Sequence, residues 1–323
     1  MEQTKGTVQK ARAQYSHALL NLAIYGVFCL LVIMLLFQAA GALLGTNQLS
    51  VEVKYGIQFG AMYLLGLPFY LFLSKSIPAD PPEKHTLKLW QFLLIIPCLV
   101  CLMYAGNLIG VMVNGLIALL IGIHTESTVL FDKVFGESGY LMVIVAVMGA
   151  PIVEELLFRK VLIDRIRRFG NGTAILLSGF FFGMFHGNLT QFFYTMFVGL
   201  MFAFIYVRTG RVIYTILLHM TINFLGGGMP YLIHADKVIE MLRAKNVAGI
   251  LTNTPFMIYM YVMLMMAVTG RVLLLLFRRR FKVDEPIEPL PEGQHRSAVF
   301  CNAGFWIMTA FCIYEFLNQI FAG

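Results

Sequence analysis

Two adjacent glutamates inside an apolar run are the residues of this chain best suited to chemistry. They lie in Pro151-Ile152-Val153-Glu154-Glu155-Leu156-Leu157-Phe158-Arg159-Lys160. Ionisable groups at membrane depth are costly, so each is a functional candidate. On a helix Glu155 and Arg159 are four positions apart, acid N-terminal to base, the favoured sense for a pair. Glu154 is turned by roughly 100° from Glu155 and has no partner on its own helix. One acid is thereby neutralised locally, and the other is left for chemistry or for a group on another helix.

Few other polar groups lie inside the apolar segments. The acids there are Glu154, Glu155 and Glu315, and the histidines are His186 and His219. His219 and Asn223 are four apart and share one helical face. Phe182 precedes His186 by one turn and stacks an aromatic ring against it. At about 1.5 Å per residue, Glu154, His219 and His186 lie ~14, ~10 and ~20 Å from the basic ends of their spans. They can meet at mid-depth. A carboxylate and a neutral imidazole converging on one water can take its proton and make a nucleophile. A second histidine and a carboxamide can donate to an oxyanion as a peptide carbonyl is attacked. Glu154, His186 and His219 also form a zinc-type ligand set with an open fourth position. His-Glu-x-x-His, Gly-x-Ser-Gly and Gly-x-Gly-Asp are all missing, which leaves zincin, rhomboid and aspartyl intramembrane-protease readings unsupported.

Glu-Glu-x-x-x-Arg (Glu154, Glu155, Arg159), Phe-x-x-x-His (Phe182, His186) and His-x-x-x-Asn (His219, Asn223) follow one another on successive apolar segments. In this order they resemble the CPBP family of CAAX proteases and bacteriocin-processing proteins, also called Abi or Rce1-like. The resemblance covers about residues 139–228. It implies that Glu154 is the general base that activates water, helped by His186. It implies that His219 and Asn223 line the oxyanion hole and that Glu155 with Arg159 is structural, with Phe182 in support. It favours glutamate-dependent hydrolysis without a cofactor, with zinc as the alternative. The implied partner is a membrane-associated peptide or protein substrate. Two rival functions are a non-catalytic scaffold or immunity protein of the same family and a transporter relaying protons through Glu154 and the histidines. No internal repeat supports the transporter.

The elements that must position these groups are membrane helices. The chain has 323 residues, 59% hydrophobic and 13% charged, with a mean hydropathy of +0.77. This composition predicts an all-α polytopic bundle of eight or nine spans with its site inside the membrane. The expected organisation is a basic amphipathic lead-in (1–16), N-terminal transmembrane helices (17–138), the helical core that holds the motifs (139–229), and a connector with C-terminal transmembrane helices (230–323). Spans are expected at 18–44, 56–74, 139–163, 173–187, 189–207, 212–225, 254–276 and 299–321. The run 89–124 is a long tilted helix or a span plus an interfacial piece, and Thr125–Ser138 is a polar loop. Within that run, Gly106-x-x-x-Gly110 predicts close helix packing. Pro151, with Gly149, predicts a kink, because the carbonyl of Val147 loses its helical partner.

The net charge of +7 does not point to nucleic acid. With the N-terminus inside, every Lys and Arg except Lys54, Lys133, Lys237, Arg243 and Lys245 falls on the inner side, as the positive-inside rule requires. A plasma-membrane protein with a cytoplasmic N-terminus and no cleaved signal is the expectation. The cysteines, including Cys98 and Cys101, sit in apolar runs and read as inert core thiols. Arg278, Arg279 and Arg280 are expected to hold their loop to anionic lipid. Glu315, one turn from Asn318, is expected to hydrogen-bond between helices or lie near the interface.

Overall fold

The computed structural model describes residues 2–46, 48–121 and 139–321, among which there is no β-strand. The helices are α1 (Glu2–Leu44), α2 (Val51–Ser76), α3 (Leu89–Ile121), α4 (139–169), α5 (Asn171–Met184), α6 (Leu189–Thr209) and α7 (Val212–Leu232). The short α8 (Asp236–Arg243) and α9 (Val247–Thr252) form the connector. Then come α10 (Thr254–Leu276), α11 (Gln294–Phe300) and α12 (Ala303–Phe321). The expected polar loop at Thr125–Ser138 lies outside the described residues.

Among the described residues, six helices are long and apolar enough to cross a membrane (α1, α2, α3, α6, α7 and α10), or seven if α11 and α12, bent by 58°, form one span. The sequence predicts eight or nine. The difference falls on α4 and α5, the helices that carry the acid pair and Phe182. Neither is among the candidate spans found in the described residues. The 14 residues of α5 reach only about 21 Å, short of a hydrocarbon core of about 30 Å. The described part of the run 89–124, Leu89–Ile121, is one 33-residue helix through Pro97. The polar lead-in is continuous with the first span as a single 43-residue helix.

Helix α4 is not a uniform α-helix. It opens to π spacing over Val145–Gly149, returns to α over Ala150–Glu155 with Pro151 in its first turn, and opens again over Leu156–Ile163. Wide turns of this kind concentrate at functional sites. Their backbone oxygens draw on neighbouring helices. Asn223 Nδ2 donates to Ala146 O at 2.8 Å, and Ser178 Oγ donates to Phe158 O at 2.9 Å. The break expected at Val147 is therefore a change of helical spacing, bridged from α7.

Packing gathers into two groups on either side of α6. One joins α1, α4, α5 and α12 through Tyr15, Leu157, Phe158, Phe181 and Met308. The other joins α3, α6, α7 and α10 through Leu99, Phe202, Leu218 and Met263. Lipid gives no hydrophobic drive to helix association, so small residues that let backbones approach are decisive. Gly106 meets the backbone of Tyr194, and Gly110 meets that of Thr190. Asn114 Nδ2 reaches Thr190 Oγ1 at 2.9 Å. The Gly-x-x-x-Gly pair is thus the α3 face against α6.

The last helix backs the turn that follows α5. Phe305, Phe311 and Phe316 of α12 pack on Phe181, Phe185 and Phe192 with centroids 5.6, 6.1 and 6.0 Å apart. Gly187 has φ +68°, and the Cβ of Glu315 lies 3.5 Å from where a Cβ there would stand. Glu315 Oε1 is buried and makes no hydrogen bond among the described residues, which leaves the second expectation, a place near the interface, untouched.

At the basic end, the linker after α10 is tied down by charge. Arg168 pairs with Asp80 at 3.0 Å and with Glu288 at 2.7 Å. Lys10 reaches Glu288 at 3.0 Å, and Arg208 reaches Asp284 at 3.0 Å. Arg168 first, and then Lys10, hold the Glu288 carboxyl below the usual carboxylate range. A depressed carboxylate stabilises the fold above its unfolded pKa of about 4.3 and loses that contribution as pH falls. Acidification from pH 7 towards 4 is expected to speed proteolytic nicking at residues 281–293. Glu288→Gln should nick quickly at pH 7 with a weaker pH dependence. Equal nicking of both proteins at pH 7 would contradict the clasp.

Candidate active site

Glu155 and Arg159 are both fully buried, with Nε and Oε2 3.0 Å apart. The pair is close but off the line a hydrogen bond needs, and neither Nη atom finds an acceptor among the described residues. The guanidinium carbon instead lies 4.4 Å from the ring centre of Phe182 and 5.6 Å from that of Phe202. Such cation–π contacts gain strength away from water. The sequence expected the ion pair. It did not reveal Phe202, which comes from α6, the helix between the motif helices.

His219 connects the two acids. Its Nδ1 lies 3.1 Å from Glu155 Oε1. A carboxylate paired with a guanidinium only accepts, so Nδ1 carries the proton. Nε2 faces Glu154 Oε2 at 3.9 Å. The imidazole is held between Phe182, edge-on at 5.6 Å, and Phe202 at 5.2 Å.

His186 lies just beyond α5. Its Nδ1 donates to Phe182 O at 2.8 Å, which leaves Nε2 as the basic nitrogen of the neutral ring. The ring meets Phe182 edge-on at 5.0 Å. Phe182 therefore forms a wall shared by Arg159, His186 and His219. Gly199 of α6 makes room for that wall, since a Cβ there would stand 2.6 Å from Phe182 Cδ1.

Glu154 differs from its twin. Its side chain is 23% exposed and makes no hydrogen bond among the described residues. His186 and the phenols of Tyr25, Tyr63 and Tyr194 stand within its electrostatic reach. These tyrosines come from α1, α2 and α6 and were not anticipated. Tyr63 lies in a π-type stretch, Gly60–Gly66, and lies close to Gly149. A glycine-bracketed tyrosine in a span was the available signal.

Asn223 sits one turn beyond His219 and gives its amide to the Ala146 carbonyl on α4. That is a positioning contact the sequence did not foresee. Asn223→Ala should cost about 1 kcal/mol, the scale of interhelical hydrogen bonds in membranes, read as a lower midpoint in reversible SDS unfolding. An unchanged midpoint would deny the contact its structural part. Among the described residues, no three His, Cys, Asp or Glu side chains are gathered as metal ligands. Glu154, His186 and His219 thus do not form a closed ligand set as they stand.

Residues 136–225 match the family model described as Type II CAAX prenyl endopeptidase Rce1-like. This segment of the chain is similar to that family. Every motif residue, from Glu154 to Asn223, lies within this Rce1-like segment. Over 200 residues the chain is 26% identical to "Putative membrane peptidase YdiL" of Bacillus subtilis (strain 168), across 52% of this chain and 82% of that protein. No solved structure matches the chain. Its apolar helices fit an integral membrane protein, and residues 136–225 are similar to the Rce1-like endopeptidase family.

Proposed function

We propose that the chain is an intramembrane endopeptidase that hydrolyses a peptide bond in a membrane-associated peptide or protein. One observation carries the reading. Of two adjacent acids, Glu155 is buried against Arg159, while Glu154 is partly exposed, without a hydrogen bond among the described residues, and 3.9 Å from His219 Nε2. A base must be reachable by the proton it removes, and of the two acids Glu154 is the reachable one.

In the proposed reaction, a water is oriented between the Glu154 carboxylate and Nε2 of His186. Glu154 takes the proton as the water oxygen attacks the scissile carbonyl. The oxyanion accepts hydrogen bonds from the second amide N–H of Asn223 and from Nε2 of His219 in its doubly protonated form. Glu154 then returns the proton to the leaving amine as the C–N bond breaks. Glu155 and Arg159 act through His219, whose ring they anchor. The excess of Lys and Arg at one end of the bundle supports a plasma-membrane protein with its N-terminus in the cytoplasm.

The test reconstitutes the purified protein with membrane-anchored peptides in ¹⁸O-labelled water. Incorporation of ¹⁸O into new C-terminal carboxyls is expected for the wild type and not for Glu154→Ala or His186→Ala. Wild-type incorporation in either variant ends this mechanism. Elemental analysis and a chelator run in parallel address the metal alternative. Activity that a chelator removes and zinc restores would replace the reading with a metal-assisted one.

A further inference from the structure

A cavity remote from Glu154 opens between α3, α6 and α10. The α10 helix is the least enclosed of the long helices, with 11% of its apolar window buried. It meets α3 tightly at Gly270, which packs on the backbone of Pro97. Towards the basic end, Leu94, Ile95, Phe204, Ile205, Leu273 and Phe277 line a cavity of about 230 Å³. Its wall is almost wholly apolar, and its volume admits a stretch of methylene chain. Trp90 and Arg280 stand at its rim.

The rim carries charge that the protein does not use. The acids of the neighbouring linker are engaged elsewhere, Asp284 by Arg208 and Glu288 by Arg168 and Lys10. Among the described residues, Arg278, Arg279, Arg280 and Lys282 form no ion pair. The Arg280 guanidinium lies 5.4 Å from the Phe277 ring centre, so it is held over the cavity's own wall. A chain already in lipid gains little from moving into an apolar cleft. Selection must then come from the headgroup, and a cationic rim selects an anionic one.

We propose that this cavity is a binding site for one acyl chain of an anionic phospholipid, with its headgroup phosphate held by Arg280. The site belongs to helices outside the Rce1-like segment, apart from α6, and does not depend on the proteolytic reading. It goes beyond general attraction of a basic loop to a charged surface, because it assigns one arginine and one cleft.

Trp90 supplies the measurement. The chain has two tryptophans, so Trp306→Phe leaves Trp90 as the reporter. In phosphatidylcholine vesicles, brominated phosphatidylglycerol is expected to quench Trp90 with roughly fivefold higher apparent affinity than brominated phosphatidylcholine, the ratio one arginine supplies near an anionic surface. Arg280→Gln should bring that ratio close to one, while Arg279→Gln, at a neighbour that does not line the cleft, should keep it. Leu273→Phe narrows the cavity and should lower quenching by both lipids. Equal quenching of the parent protein by both lipids overturns the proposal. So does equal loss in the two arginine variants, which would make the preference a property of the whole basic surface. Unchanged quenching in Leu273→Phe overturns it as well, by seating the chain elsewhere.

Discussion

Glu154→Gln is expected to lower peptide-bond cleavage by about 10²–10⁴-fold, the contribution of a positioned general base, and to leave stability within about 0.5 kcal/mol of wild type. The separation follows from geometry. Glu154 has no hydrogen bond among the described residues, and the His219 imidazole stands 3.9 Å away. An amide of the same size fits the same space and cannot take a proton from water. Single-turnover rates on a reconstituted peptide give the first quantity, and reversible SDS unfolding gives the second. Cleavage within threefold of wild type would remove Glu154 from the chemistry. A large fall in stability would instead make it a structural acid like its neighbour.

Arg159→Leu is expected to cost about 3–5 kcal/mol, the range for removing one partner of a buried ion pair. Glu155 would then be a fully buried charge with His219 and Thr215 beside it. The rings of Phe182 and Phe202 would also lose the guanidinium that lies over them. Glu155→Gln should cost a similar amount, since it strands the guanidinium. The double variant Glu155→Gln, Arg159→Leu should recover most of the loss, because no charge is left uncompensated and the Gln carbonyl can still accept from His219 Nδ1. The recovery is the diagnostic result. Costs that simply add in the double variant would show that the two side chains do not act as a pair. Activity in the double variant should stay low, because the anchor of the His219 ring is weakened.

Residue spacing made some of this legible and hid the rest. The pairing of Glu155 with Arg159 and the isolation of Glu154 follow from helical phase alone, because i, i+4 contacts are local. The Gly106-x-x-x-Gly110 face was legible for the same reason. Contacts between helices far apart in sequence were not. Nothing local says that Phe202 will floor His219, or that Tyr63 and Tyr194 will stand near Glu154. Asn223 was expected to face the oxyanion, but its amide also bridges a wide turn of α4. That turn exists only because α4 abandons α spacing, which hydrophobic patterning does not register. The described residues hold six or seven candidate spans against the eight or nine expected, and the difference lies at α4 and α5. At 14 residues α5 falls short of the roughly 20 that a spanning helix needs.

The packing of α12 bears on how this protein could be minimised. The Rce1-like segment ends at residue 225, yet the rear of the turn that holds His186 is closed by Phe305, Phe311 and Glu315. A fragment trimmed to the recognisable segment would bare three phenylalanines to detergent and free the hinge at Gly187. Engineering a compact version therefore calls for grafting a surrogate for the tail onto the truncated piece, rather than discarding the tail as an appendage.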